Sequence, residues 1–105
     1  VKRFRYDPAA EEELVAAAQR YAAANATVGE RFVARIITIV TEISREPHVW
    51  PLASHVPENL GVRRRVVPGF PYLVLYKDYP TEVVILAIAH GKRKPGYWRR
   101  RLPER

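Results

Sequence analysis

Cations dominate the residues able to do chemistry in this 105-residue chain. Arg63, Arg64 and Arg65 stand in a row, Lys92, Arg93 and Lys94 follow His90, and Arg99, Arg100 and Arg101 follow Tyr97 and Trp98. Guanidinium groups clamp phosphates and carboxylates but stay protonated throughout the physiological range, so they carry no protons to or from a reacting atom. Cutting RNA by attack of a 2′-hydroxyl needs a base, an acid and cations around the phosphorane. Only His90 and Tyr97 are placed to be the proton carriers, with Arg93 and either Arg64 or Arg65 as clamps. The same residues also have a structural reading. A histidine closing a strand satisfies a local hydrogen bond, Pro95-Gly96-Tyr97-Trp98 folds the tail back with Trp98 packed on a sheet, and strand arginines pair with an acidic partner or with Glu11 to Glu13. His48 and His55 have no acidic or cysteine companion at ligand spacing and read as surface residues. No metal site or cofactor motif emerges, and the chain has no cysteine.

Charge is unevenly spread. Eighteen Lys and Arg oppose eleven Asp and Glu, a net charge of +7 that favours acidic partners. Seven of the eighteen and one of the eleven lie between His90 and Arg105, so this stretch holds +6 and the preceding body +1. The basic character belongs to a C-terminal tail at about 91–105. No apolar run approaches the roughly 18 residues of a membrane span, which leads us to expect a soluble cytoplasmic protein with no membrane partner.

The elements that must position these residues follow from spacing. Lys2-Arg3-Phe4-Arg5-Tyr6 alternates as a half-exposed strand does, and Asp7-Pro8 then caps and opens a helix to about Asn25. Glu11, Glu12 and Glu13 complement its dipole, and Ala10, Leu14, Ala17, Ala18, Tyr21 and Ala24 form its apolar stripe. Thr27-Val28-Gly29-Glu30 reads as a capping box for a second helix. The core face of that helix is Phe32, Val33, Ile36, Ile37, Ile39, Val40 and Ile43. Pro47 ends it, and Pro47 to Gly61 is a long proline-rich connection that Trp50 and Leu52 are expected to pin. Strands at Val62–Val67, Tyr72–Lys77 and Glu82–His90 are joined by turns short enough for an antiparallel meander. The last is apolar on both faces and should be central. The order β-α-α-β-β-β predicts a single α+β domain over residues 1–105, a helical hairpin on a small, mainly antiparallel sheet. The position of the first strand in that sheet is left open.

Three segments, Val62-Arg63-Arg64-Arg65, Phe70-Pro71-Tyr72-Leu73-Val74-Leu75-Tyr76 and His90-Gly91-Lys92-Arg93-Lys94-Pro95-Gly96-Tyr97-Trp98, together resemble the RelE/ParE toxin superfamily over nearly the whole chain. The resemblance implies a type II toxin-antitoxin system in which an antitoxin wraps and neutralises the toxin. It also implies one of two activities, ribosome-dependent mRNA cleavage or inhibition of DNA gyrase. RelE-like endonucleases carry an additional arginine inside the second strand of the meander, where Tyr72-Leu73-Val74-Leu75-Tyr76 has none, and their basic strand offers lysines where this one has only arginines. Phe70-Pro71-Tyr72 and Pro95-Gly96-Tyr97-Trp98 look more like the ParE branch. The expectation is therefore a ParE-like gyrase inhibitor that acts by binding. Its contact residues are drawn from Arg63, Arg65, Lys92, Arg93, Lys94, Tyr97, Trp98, Arg99, Arg100 and Arg101. The alternative is an mRNA endonuclease using His90, Arg93 and Tyr97 with Arg64 or Arg65. The antitoxin is expected to supply an acidic, amphipathic segment that orders on binding over the hairpin and sheet.

Overall fold

The computed structural model describes residues 1–103; Glu104 and Arg105, the end of the basic stretch, lie outside the described residues. Strand β1 (Phe4–Tyr6) leads into helices α1 (Pro8–Ala24) and α2 (Ala26–Arg45), followed by β2 (Val62–Val66), β3 (Tyr72–Asp78) and β4 (Val83–His90). The α+β architecture read from the sequence is the one observed, a helical hairpin over a four-stranded sheet of order β1-β4-β3-β2. The strand whose place was open joins β4 in parallel, Phe4 opposite Val83 and Tyr6 opposite Ile85, while the other pairings are antiparallel. Lys2 anchors it, its Nζ lying 2.6 Å from Asp78 Oδ1.

Asp7 caps α1 as expected, accepting from the Ala9 amide at 2.9 Å with Pro8 in the first turn. The capping box expected at Thr27 is not used. Asn25, in extended backbone at φ −163°, ends α1 and caps α2 through its own Oδ1 on the Thr27 amide, so one residue serves both helices. Its short amide reaches the amide two residues on, which draws Thr27 inside the helix. A one-residue connection forces the helices together. A Cβ on Gly29 would sit 2.7 Å from the Ala22 Cβ, so glycine is required where the hairpin crosses.

β4 is central and buried on both faces. Leu75 of β3 faces Ala87 and Tyr76 faces Ile85, which leaves Leu86 as an inserted residue. This bulge shifts the side-chain alternation. Val83, Ile85 and Ile88 face the helices and pack with Phe32, Ile36 and Ile39, while Val84, Leu86, Ala87 and Ala89 face the other way. The second face is not left to solvent. The connection through Ala53 and Val56 covers it, together with Tyr97, Trp98 and Leu102 of the C-terminal stretch. Trp50 packs on the helix-side core, and Leu52 makes an isolated bridge with Arg63, so both pin the connection as expected. The buried Tyr76 hydroxyl donates to the Pro47 carbonyl at 2.7 Å and fixes where the connection leaves α2.

Candidate functional site

Alternation along β2 divides the three arginines. Arg63 and Arg65 face the helices. Arg63 Nη1 donates to the Trp50 carbonyl at 2.6 Å, and Arg65 lies over the Trp50 ring at 3.8 Å with its Nη1 2.8 Å from Glu42 Oε1. The acidic partner of the strand is thus Glu42 of α2 and not the run Glu11 to Glu13, because α2 is the helix that lies across this edge. Arg64 takes the opposite face, shared with Leu73 and Leu75. There it lines a cleft of about 290 Å³ with His90, Arg93, Lys94 and Tyr97. Four of the five residues suited to nuclease chemistry therefore converge, and Arg65 stands apart on the other side of the sheet.

Their hydrogen bonds decide what they can do. His90 Nδ1 accepts from the Lys92 amide at 3.1 Å, and its ring packs edge-on against Tyr72 at 5.2 Å. The Tyr97 hydroxyl donates to Glu13 Oε2 at 2.8 Å, while Arg93 lies over its ring at 3.8 Å. Burial, with the Glu13 carboxylate second, pushes the Tyr97 phenol well above the ordinary tyrosine value. A phenol so held keeps its proton.

Glu13 is the centre of a knot. Its carboxylate takes two bonds from Arg101, Nη1 to Oε1 at 2.9 Å and Nη2 to Oε2 at 3.0 Å, and Oε1 also accepts from the Ile88 amide at 3.0 Å. Arg101 Nη1 in turn reaches the Leu86 carbonyl at 3.0 Å. β1 stops at the level of Ile85, so Leu86 and Ile88 would otherwise show unpaired backbone at the outer edge of β4; the ion pair takes the place of a strand there. Hydrogen bonding to Glu13 holds the Arg101 guanidinium above its usual range.

The raised phenol gives a pH dependence whose sign follows from linkage. Above about pH 10 the unfolded chain releases tyrosine protons that the folded chain retains at Tyr97, so stability present below that pH is lost as pH rises further. We predict that Tyr97→Phe flattens this alkaline decline. Between pH 9 and 11 the melting temperature of the variant should fall by less than that of the parent chain, as followed by circular dichroism.

Five of the ten residues expected to make contacts are thus occupied in the fold, Arg63, Arg65 and Arg101 through the bonds and ion pairs above. Tyr97 is tied to Glu13, and Trp98, 3% exposed, lies in the core on the far side of the sheet. Lys92, Arg93, Lys94, Arg99 and Arg100 remain exposed, and among the described residues no carboxylate is in ion-pair range of any of them. Arg99–Arg101 form a short 3₁₀ turn that points two arginines outward and the third inward.

A second surface lies on the outer side of the hairpin. Leu14, Val15, Ala18 and Ala22 of α1 and Val33 and Ile37 of α2 line an open groove of about 700 Å³. The sequence reading placed Ile37 in the core. In the structure it is 56% exposed, and Val15 is 48% exposed, because the alanines of α1 draw the helices together and turn the broad apolar face of α2 partly outward.

Comparison with known proteins gives the chain a family. Residues 4–95 match the family model of the ParE toxin of the type II toxin-antitoxin system parDE. The chain belongs to the ParE toxin family. Among solved structures, a chain of the chromosomal ParDE toxin-antitoxin system from P. aeruginosa superposes with a TM-score of 0.62 at 20% identity. The match covers 85% of this chain and 95% of that one. No curated protein sequence matches. In this ParE-family toxin no helix among the described residues is long and apolar enough to cross a membrane, and no group of His, Cys, Asp and Glu is placed to hold a metal ion.

Sequence reasoning missed Glu13, which it took for one of three dipole-complementing carboxylates. A signal was present. Glu13 stands three residues after Ala10 and four before Ala17, on the stripe that α1 buries, and a carboxylate on a buried stripe demands partners.

Proposed function

We propose that this ParE-family toxin acts by binding, that its target is DNA gyrase, and that a cognate antitoxin neutralises it by laying an amphipathic helix in the groove between α1 and α2. The observation that carries the binding mode is the bond from the Tyr97 hydroxyl to Glu13. General acid catalysis needs a proton free to move at a pKa near the working pH, and this phenol is held well above it. Leu73 and Leu75 offer the cleft apolar side chains where an endonuclease of the related branch would offer a further arginine. The exposed Lys92, Lys94, Arg99 and Arg100 supply a contact surface that needs no chemistry.

The groove supports the antitoxin's place. Its lining is almost wholly apolar and runs along two helices, the form that accepts a partner helix through residues spaced three and four apart. Purified toxin is expected to inhibit supercoiling by gyrase, with inhibition relieved by equimolar antitoxin, and to leave mRNA on translating ribosomes intact. Ribosome-dependent cutting with supercoiling unaffected would replace the gyrase reading with the endonuclease one.

A further inference from the structure

The cleft on the sheet face away from the hairpin has a composition that a surface made only for protein contact does not require. Arg64, Arg93 and Lys94 line it beside His90 and His55, and no carboxylate does so among the described residues. Arg64 Nε is buried without a hydrogen-bond partner. On the helix side Arg63 bonds the Trp50 carbonyl and Arg65 pairs with Glu42, whereas no carboxylate among the described residues is in ion-pair range of Arg64, which is half-buried on the cleft side. The outer end of the Arg64 guanidinium is left to pair with an anion in the cleft.

Size and surroundings narrow the anion. About 290 Å³ is at the small end of ligand clefts, which run from roughly 300 to 1,000 Å³. The cationic lining is more than one carboxylate would need. Lys92, Arg99 and Arg100, exposed and close in sequence to the residues that line the cleft, add further cations, as a chain of anions requires. Recognition of single-stranded nucleic acid relies on exposed aromatic faces for base stacking, and the two large aromatic residues of the cleft have none to give: Arg93 already covers the Tyr97 ring, and Trp98 is buried. What is left is contact with the sugar-phosphate backbone.

We propose that this cleft is a phosphate socket for double-stranded DNA, with Arg64 as the inner clamp and Arg93 and Lys94 at its mouth, so that the toxin touches the DNA its target holds as well as the target itself. The source of that DNA rests on the gyrase reading above; the socket does not. Guanidinium suits the role because its planar fork binds two phosphate oxygens at once. Phosphate contacts of this kind position a protein without reading sequence.

The test is fluorescence anisotropy of a labelled 20-base-pair duplex with the full chain, over a range of salt. Three cations in contact predict a log–log salt slope of roughly −2.7. Arg64→Gln is expected to weaken binding about tenfold and make the slope shallower by about one, Lys94→Gln to do so less, and Arg64→Lys to restore part of the loss. Unchanged circular dichroism and antitoxin binding show that each variant is folded. Inorganic phosphate at millimolar concentration that displaces the duplex from the parent chain but not from Arg64→Gln supports a socket for the phosphate itself. Equal duplex affinity in the parent chain and Arg64→Gln overturns the proposal, as does preference for single-stranded RNA of the same length. Running the same proteins in the supercoiling assay separates the two readings. Duplex binding through Arg64 without gyrase inhibition removes the target and keeps the socket, whereas gyrase inhibition with Arg64-independent duplex binding does the reverse.

Discussion

Glu13→Ala is expected to lower the unfolding free energy by about 2–4 kcal/mol, a large share of the roughly 5–15 kcal/mol typical of single domains. The substitution removes four bonds at once. It strips the Arg101 guanidinium, whose side chain is 19% exposed, of its carboxylate, leaves the Ile88 amide at an uncovered strand edge, and frees the Tyr97 hydroxyl. The loss is dominated by the groups left behind, since a buried donor without an acceptor bears its full desolvation cost. Urea denaturation measures it, with a midpoint lower by one to a few molar at the slopes usual for small proteins. Glu13→Gln keeps an acceptor for Ile88 and should lose less. A midpoint within experimental error of the parent chain would mean that the C-terminal turn is held by Trp98 and Leu102 packing alone.

The second large effect separates binding from stability. Ile37→Glu should reduce antitoxin affinity by at least a hundredfold, about 3 kcal/mol, because a carboxylate would stand unpaired in the middle of an apolar contact. Its effect on folding should be under about 1 kcal/mol, since the side chain is already half in water. In cells the variant should arrest growth even when the antitoxin is co-expressed. Calorimetric titration gives the affinity, and an unchanged value would move the antitoxin off the hairpin groove.

These two residues also mark what the sequence conceals. Periodicity located α1 and α2, the capping aspartate, the three-stranded meander and the centrality of β4, because each depends on residues near one another in the chain. It misplaced Ile37 because a wide apolar face on α2 looks the same whether the neighbouring helix covers all of it or, being rich in alanine, only part. It missed the Glu13 knot because Arg101 lies 88 positions away and its value depends on where β1 stops. The division of Arg63, Arg64 and Arg65 between faces followed from strand geometry, but which face met the helices did not. That point decides which arginine opens on the cleft. The parallel placement of β1 was equally out of reach, because three residues carry too little pattern to choose an edge.

The site was legible as a set and not as an arrangement. His90, Arg93, Tyr97 and Arg64 were all singled out, and they do converge. Only the structure shows that Tyr97 turns its hydroxyl to α1 and that His90 Nδ1 accepts from a backbone amide of the next turn. Both are bonds of the kind that fix a fold, and neither was legible from residue type.

The most direct test is growth arrest on expression of His90→Ala without antitoxin, with the parent chain alongside. A toxin that acts by binding gyrase keeps its potency, since the imidazole does no proton transfer. Loss of arrest in a His90→Ala protein that still folds and still binds antitoxin would contradict the account and return the cleft to catalysis.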